Sequence, residues 1–308
     1  SDVCSSDLMR KKKSIISIDK LTLCYRATDE VIAKLNEYNE LVDSDDSFTL
    51  VRVPSDEALF ANSFHVMVSF DGSGRTHQKK FATLKTKLRS MGDDKINYVW
   101  LYIENWVFYE VFGIYDGSKC NWLACVDYIA DELGLILNNI TDLHIALDTN
   151  IDFAKKISKA QFDDDYIVVL NGTIRSNKDE ILDDILHVKT GNQRRLKTLS
   201  LYVSPKKKDG LSLKIYDKKR ELEKSNKNYI PQWNGLKNKN YRVELTIKNE
   251  HLKEFYQWKG EVIPNELLMA TLASQSQSQD LLFDMLYYFS NRLLRFSYKG
   301  KGISIFQL

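Results

Sequence analysis

No stretch of this sequence stays apolar for the roughly 20 residues that a membrane-spanning helix needs, so no helical membrane span is expected. No secretory signal is expected either: Arg10 to Lys13 is basic, but no long apolar stretch follows it. Cysteine is scarce. Cys4, Cys24, Cys120 and Cys125 are too few and too scattered for a disulfide framework. Cys120 and Cys125 are close in sequence, yet no second pair completes a zinc site. A reducing, cytoplasmic compartment is the simplest expectation. Several catalytic signatures are absent too. Gly72-Ser73-Gly74-Arg75 lacks the Gly-Lys-Ser/Thr of a phosphate loop and reads as a hairpin turn. No Gly-x-Ser-x-Gly occurs, no Cys/His grouping suggests a thiol protease, and His65 and His77 flank the turn without forming a His-x-His pair.

What remains is an ordinary globular composition, 43% hydrophobic and 28% charged, in 308 residues that can bury a sizeable core. The net charge of +2 hides an asymmetry. Residues 1–188 hold 21 basic and 31 acidic side chains, a net of −10; residues 189–242 hold 16 and 4, a net of +12. The excess runs through Arg194, Arg195, Lys206, Lys207, Lys208, Lys214, Lys218, Lys219, Arg220 and Lys237. Tyr202, Tyr216, Tyr229, Trp233 and Tyr241 are interleaved with it. Cations fix phosphates and flat rings stack on unpaired bases, so nucleic-acid binding is favoured over a merely solvated lysine run. Arg194, Arg195, Lys206, Lys207, Lys208 and Lys214 are the candidate DNA contacts.

The pattern along the chain predicts an α+β protein with a largely antiparallel sheet, flanking helices and a helical C-terminal segment. Strands are expected at Ile15 to Cys24, Phe64 to Phe70, Asn97 to Val111, Ile140 to Leu147, Tyr166 to Leu170, Leu199 to Val203, Leu211 to Tyr216, Tyr241 to Ile247 and, at the end, Arg295 to Phe306. Helices are expected at Asp29 to Val42, Asn121 to Leu133, Asp217 to Ser225 and across Asn249 to Leu294, broken at Pro264 and at Ser274 to Gln279. Asn226 to Asn240 reads as a surface loop. Residues 1–8 resemble translated read-through and are set aside, with Met9 as the expected start; residues 9–250 are expected to form one catalytic domain, and residues 251–308 to pack on it.

Three strands carry polar groups that an ordinary core would reject. Alternation puts Asp142, His144, Ala146 and Asp148 on one face, and Arg242, Glu244 and Thr246 on one face of another strand. Tyr216 ends a third. Taken singly, each could be a solvated sheet face. Together they offer what phosphodiester cleavage needs: a nucleophile, charge to neutralise the phosphate, and a path for a phenolic proton. Carboxylates such as Asp148 and Glu244 suit a hard cation, Mg²⁺ or Mn²⁺. Free tyrosine has a pKa of about 10, so Lys218, Arg242 or the metal would have to favour its phenolate.

Ile215-Tyr216-Asp217-Lys218-Lys219-Arg220-Glu221 resembles the aliphatic-Tyr-acid-Lys-x-x-Glu motif of Rep_trans-type rolling-circle replication initiators and their conjugative relaxase relatives. Thr141 to Asp148, Arg242-Val243-Glu244-Leu245 and Ile18 to Thr22 are similar to three further strands of that family, in the same order, over most of the chain. The resemblance implies a nicking domain with Tyr216 as nucleophile and Asp148 and Glu244 as metal ligands, completed by His144 or Asp142. It departs from the family at His144, where an acid is usual, and at Asp142, where arginine is usual; a hydrogen-bonded strand histidine is the alternative for His144. The partners implied are DNA at an origin hairpin or transfer origin, a host helicase and a second copy of the chain. Tyr202 is the rival nucleophile. The competing reading is a non-catalytic, sequence-specific DNA-binding protein of a mobile element.

Overall fold

Alternating burial drives the strands. β1 (Ser14–Ala27) precedes a nine-residue helix, α1 (Asp29–Glu37), and then β2 (Glu40–Val42), β3 (Phe48–Val53), β4 (Phe60–Gly72), β5 (Arg75–Lys87) and β6 (Asn97–Ile103). A two-strand ribbon, β7 (Phe112–Gly113) and β8 (Lys119–Cys120), leads to α2 (Trp122–Glu132) and the long β9 (Ile136–Thr149). After α3 (Phe153–Phe162) come β10 (Tyr166–Leu170), β11 (Thr173–Arg175), β12 (Ile185–Thr190), β13 (Thr198–Val203) and β14 (Ser212–Asp217). Helices α4 (Lys218–Ser225) and α5 (Tyr229–Asn234) separate β14 from β15 (Tyr241–Lys248). The chain closes with α6 (Asn249–Lys259), α7 (Asn265–Ala273), α8 (Ser278–Leu293), β16 (Leu294–Tyr298) and β17 (Lys301–Ser304). The computed structural model describes residues 14–308 apart from 39, 43–47, 56–59, 73–74, 88–95, 110–111, 114–118, 176–184, 191–197, 205–209, 226, 228, 237–238 and 275–277. The protein is α+β with large antiparallel pairing, as its sequence pattern implies.

Contacts divide the chain into two units. Unit 1 is Ser1–Asp19, His144–Gly260 and Gln279–Leu308; unit 2 is Lys20–Leu143 and Glu261–Ser278. The boundaries fall inside β1 and β9, and the segment after residue 250 is shared out, with α7 in unit 2 and α8, β16 and β17 in unit 1.

In unit 2 the strand order is β9-β1-β6-β5-β4-β3-β2. Its core takes Leu21, Leu23, Phe64, Val66, Leu84, Val99, Leu101 and Ile103, each buried. Two elements end earlier than local pattern suggests. The helix expected to reach Val42 stops at Glu37, because Arg52 on β3 donates to the carbonyls of Leu35 at 2.8 Å, Asn36 at 2.9 Å and Tyr38 at 2.7 Å. A cation on the last carbonyls is what a helix C-terminus favours. The strand expected over Asn97 to Val111 stops at Ile103; the Glu104 N–H donates to the Phe81 carbonyl and the Trp106 indole to that of Lys80, turning the chain into a short 3-10 segment. α2 begins where expected, with Asn121 accepting from the Ala124 N–H at 3.1 Å, and is followed by Gly134 at φ +65°.

In unit 1 the order is β12-β13-β14-β15-β9-β1, with a separate four-stranded sheet β11-β10-β16-β17. The expected Asn171-Gly172 turn is present, both residues with positive φ. α3 was not expected: three lysines, Lys155, Lys156 and Lys159, dilute its pattern, while Phe153, Ala154, Ile157 and Ala160 are buried. Within the expected loop at 226–240 the structure forms α5, whose Ile230 is fully buried. On one face of the main sheet Leu201, Leu213, Ile215, Val243, Leu245, Ile145 and Leu147 are buried hydrocarbon. The other face is polar.

Candidate active site

Directly paired residues of an antiparallel sheet point to the same side. The register β13–β14–β15 therefore writes two rows on the polar face of unit 1. One row sets Tyr202 opposite Lys214 and Lys214 opposite Glu244; the next sets Tyr216 opposite Arg242. Alternation along β9 brings His144 and Asp148 to that same face, and β1 contributes Asp19.

The Arg242 row is a closed ion cluster. The guanidinium is fully buried, donating from Nε to Asp148 Oδ1 at 2.7 Å and from Nη2 to Oδ2 at 2.8 Å, with Nη1 on Asp19. This planar two-point grip is what arginine offers a carboxylate. Asn234 Nδ2 adds a third donor to Asp148 at 3.2 Å, and its own carbonyl oxygen accepts from the Leu236 N–H at 2.9 Å. Burial and the Glu244 charge work to raise Asp19, but the Arg242 charge, the Lys218 charge and the Arg242 hydrogen bond together outweigh them and hold the carboxyl below its ordinary range. Sequence reasoning missed both Asp19 and Asn234 as site residues, since Asn234 falls in the segment read as a surface loop.

The Glu244 row is different in kind. Glu244 accepts from the Tyr216 hydroxyl at 2.9 Å, faces His144 Nδ1 at 3.6 Å and lies 3.7 Å from Lys214 Nζ. Burial alone would raise its pKa; the His144 hydrogen bond, the Lys214 charge, the Tyr216 hydroxyl and Arg242 overcome this and hold it at about 2. Tyr216 is pushed the opposite way. Burial raises its phenol well above the ordinary range, Glu244 and Asp19 add to that, and Arg242 opposes them. The resting pair is thus a neutral phenol donating to a carboxylate. Lys218 is also buried, paired with Glu221, and its Nζ sits 5.8 Å from the centre of the Tyr216 ring. Burial and the Arg242 charge depress it, against Glu221 and Asp19.

Tyr216, Glu244, His144, Arg242 and Lys218 therefore come together on this face. The four expected metal ligands do not form one cage. Both Asp148 oxygens are held by Arg242 and Asn234, Asp142 pairs with Lys20 at 3.0 Å in unit 2, and only His144 and Glu244 face each other. His144 and Asp148 are four residues apart on β9, about 13 Å along an extended strand, too far to share an ion at 2.0–2.6 Å. Among the described residues no group of three His, Cys, Asp or Glu side chains could hold a metal ion. The residues as arranged do not fit the divalent cation.

Neither a protein-family model nor a curated protein matches the chain. Among solved structures it is similar to a rolling circle replication initiator protein from Geobacillus stearothermophilus, at 11% identity and a TM-score of 0.46, over 92% of this chain and 86% of that one.

Of the expected DNA contacts, Lys214 is described and keeps 44% of its side chain exposed, next to Glu244. Arg194, Arg195, Lys206, Lys207 and Lys208 lie outside the described residues. No described helix is long and apolar enough to cross a membrane.

Proposed function

We propose that this chain is a rolling-circle DNA replication initiator or a related relaxase, nicking one strand through Tyr216. The observation that carries the reading is the 2.9 Å hydrogen bond from the Tyr216 hydroxyl to Glu244, inside the Tyr-Asp-Lys-x-x-Glu motif and beside the buried Arg242. Tyr216 Oη attacks the phosphorus and the bond from phosphorus to the 3′ oxygen breaks. The phenolic proton passes to Glu244 as the new bond forms, and the departing 3′ oxygen takes a proton from solvent. The products are a 5′-phosphotyrosine and a free 3′-OH, and the ester keeps the energy needed for later joining. Because the resting phenol is firmly protonated, proton transfer has to accompany attack rather than precede it. Lys214 and Lys218 supply positive charge near the phosphate.

Tyr202 is a second candidate on one observation: it is partly exposed and stands in register with Lys214, in the row of Glu244. A host helicase and a dimer belong to the same proposal as expectations for an initiator. The test is incubation of the chain with supercoiled and single-stranded origin DNA, with and without Mg²⁺ or Mn²⁺, followed by a denaturing gel. A covalent protein–DNA band that Tyr216→Phe abolishes, while DNA binding persists, supports the reading. DNA binding with no covalent band from the unaltered chain is the outcome of the non-catalytic alternative.

A further inference from the structure

Strand β6 of unit 2 alternates hydrocarbon with aromatic rings. Val99, Leu101 and Ile103 are buried, while Tyr98, Trp100 and Tyr102 lie on the other face and keep part of their surface exposed. Outward positions of a sheet ordinarily carry small polar or charged groups, so three successive rings there are a departure that invites explanation. They form a strip about 13 Å long, the reach of roughly two nucleotides in an extended single strand.

Neighbouring strands widen the strip and charge its edges. Phe60 on β4 meets Trp100 edge-on at 5.6 Å, and Tyr98 lies tilted 6.1 Å from Trp100. Lys85 on β5 stands opposite Trp100, its Nζ 4.7 Å from the Phe60 ring and 5.3 Å from that of Tyr102. On the other side, Arg26 on β1 stands opposite Tyr98 and is exposed. Toward the Tyr102 end, Lys80 pairs with Glu104 at 2.7 Å and Lys20 with Asp142 at 3.0 Å, so both carboxylates there are matched by a lysine. Rings in a row with cations along both edges is the arrangement that holds unpaired bases by stacking and their phosphates by charge.

We infer that this face of unit 2 is a binding platform for single-stranded DNA, with bases stacked on Tyr98, Trp100 and Tyr102 and phosphates met by Lys85 and Arg26. The choice of DNA over RNA rests on the function proposed above; the platform itself rests on unit 2 alone. The alternative is a cross-strand aromatic ladder that only stabilises the sheet.

The experiment is fluorescence anisotropy of the full chain with a labelled oligothymidylate of about 15 nucleotides, a ligand with no hairpin to nick. Trp100→Ala is expected to weaken binding about 10- to 100-fold and Tyr98→Ala about 10-fold, with Trp100→Phe staying near the unaltered chain. Lys85→Gln is expected to reduce the slope of log affinity against log salt by about 1. Thermal melting of each variant separates lost binding from lost folding, and Tyr98→Ala, near the start of the strand, serves if Trp100→Ala does not fold. The inference is overturned if the unaltered chain does not bind the oligomer at low salt. It is overturned too if folded Tyr98→Ala and Trp100→Ala bind within twofold of it. Equal binding of oligouridylate overturns the choice of DNA. Failure of the nicking reading is read elsewhere, as a covalent adduct that survives Tyr216→Phe, and it leaves Trp100-dependent binding untouched.

Discussion

Two rows of residues on one sheet face, one step apart, use the same side-chain types to opposite ends. In the first, Arg242 is fully buried and three of its nitrogens donate to Asp148 and Asp19, with Asn234 fixing Asp148 from another side. In the second, Glu244 is 8% exposed and holds a hydroxyl, an imidazole and a half-exposed lysine at once. The Arg242 row is saturated and can only hold its place. The Glu244 row holds a neutral phenol against a carboxylate. A carboxylate's place here is decided by which side chain reaches it: the Arg242 guanidinium locks Asp148, whereas Glu244 takes the Tyr216 hydroxyl diagonally across the sheet, beside its direct cross-strand partner Lys214.

The largest expected effect is on the anchor. Removing one member of a buried ion pair strands the other charge, so Asp148→Ala is expected to lower stability by about 3–5 kcal/mol. The measurement is denaturant unfolding in buffer containing a chelator. A residue that served only as a metal ligand would leave the metal-free stability unchanged, and that result would break the distinction between the rows.

A somewhat smaller effect belongs to Glu244 and appears as pH dependence. Its pKa is held at about 2 in the folded chain against an ordinary 4.5. A depressed carboxyl contributes stability that is fully present above the unfolded value and is lost as pH falls through the folded one. The window is therefore about 4.5 down to 2, with a contribution on the order of 3 kcal/mol. Glu244→Gln should flatten this part of the acid unfolding curve. An unchanged curve would mean that the Glu244 row is not held as described.

Asn234→Ala is the mildest of the three. It removes one donor to a charged acceptor and should cost about 1–2 kcal/mol in thermal or denaturant melting, with nicking preserved. A loss of nicking at full stability would instead place Asn234 in the chemistry.

Local pattern made much of this visible, and the limits are physical. The alternation of Tyr241 to Ile247 correctly puts Arg242 and Glu244 on one face, because a strand's period of two needs no partner to be read. The Asn171-Gly172 turn and the ends of α2 are likewise local chemistry. What period cannot supply is the neighbour across the sheet. Asp148 and Glu244 look alike in sequence, and only the folded sheet shows Asp148 gripped by Arg242 and Glu244 reached diagonally by Tyr216. The early end of α1 has the same origin, since Arg52 reaches its carbonyls from 14 to 17 residues away. The division of the chain inside β1 and β9 leaves no mark at all, as both strands run on without a break in pattern.

The measurement that bears most directly on the account is the chemical position of the covalent link. Adduct formed on origin DNA is digested with nuclease and protease, and the nucleotide-bearing peptide is identified by mass spectrometry. The account predicts the nucleotide on Tyr216, in the peptide running into Asp217 and Lys218. A nucleotide on Tyr202 would contradict it, moving the attack to the Lys214 end of the Glu244 row and leaving Tyr216 as a hydrogen-bond partner that orients the carboxylate.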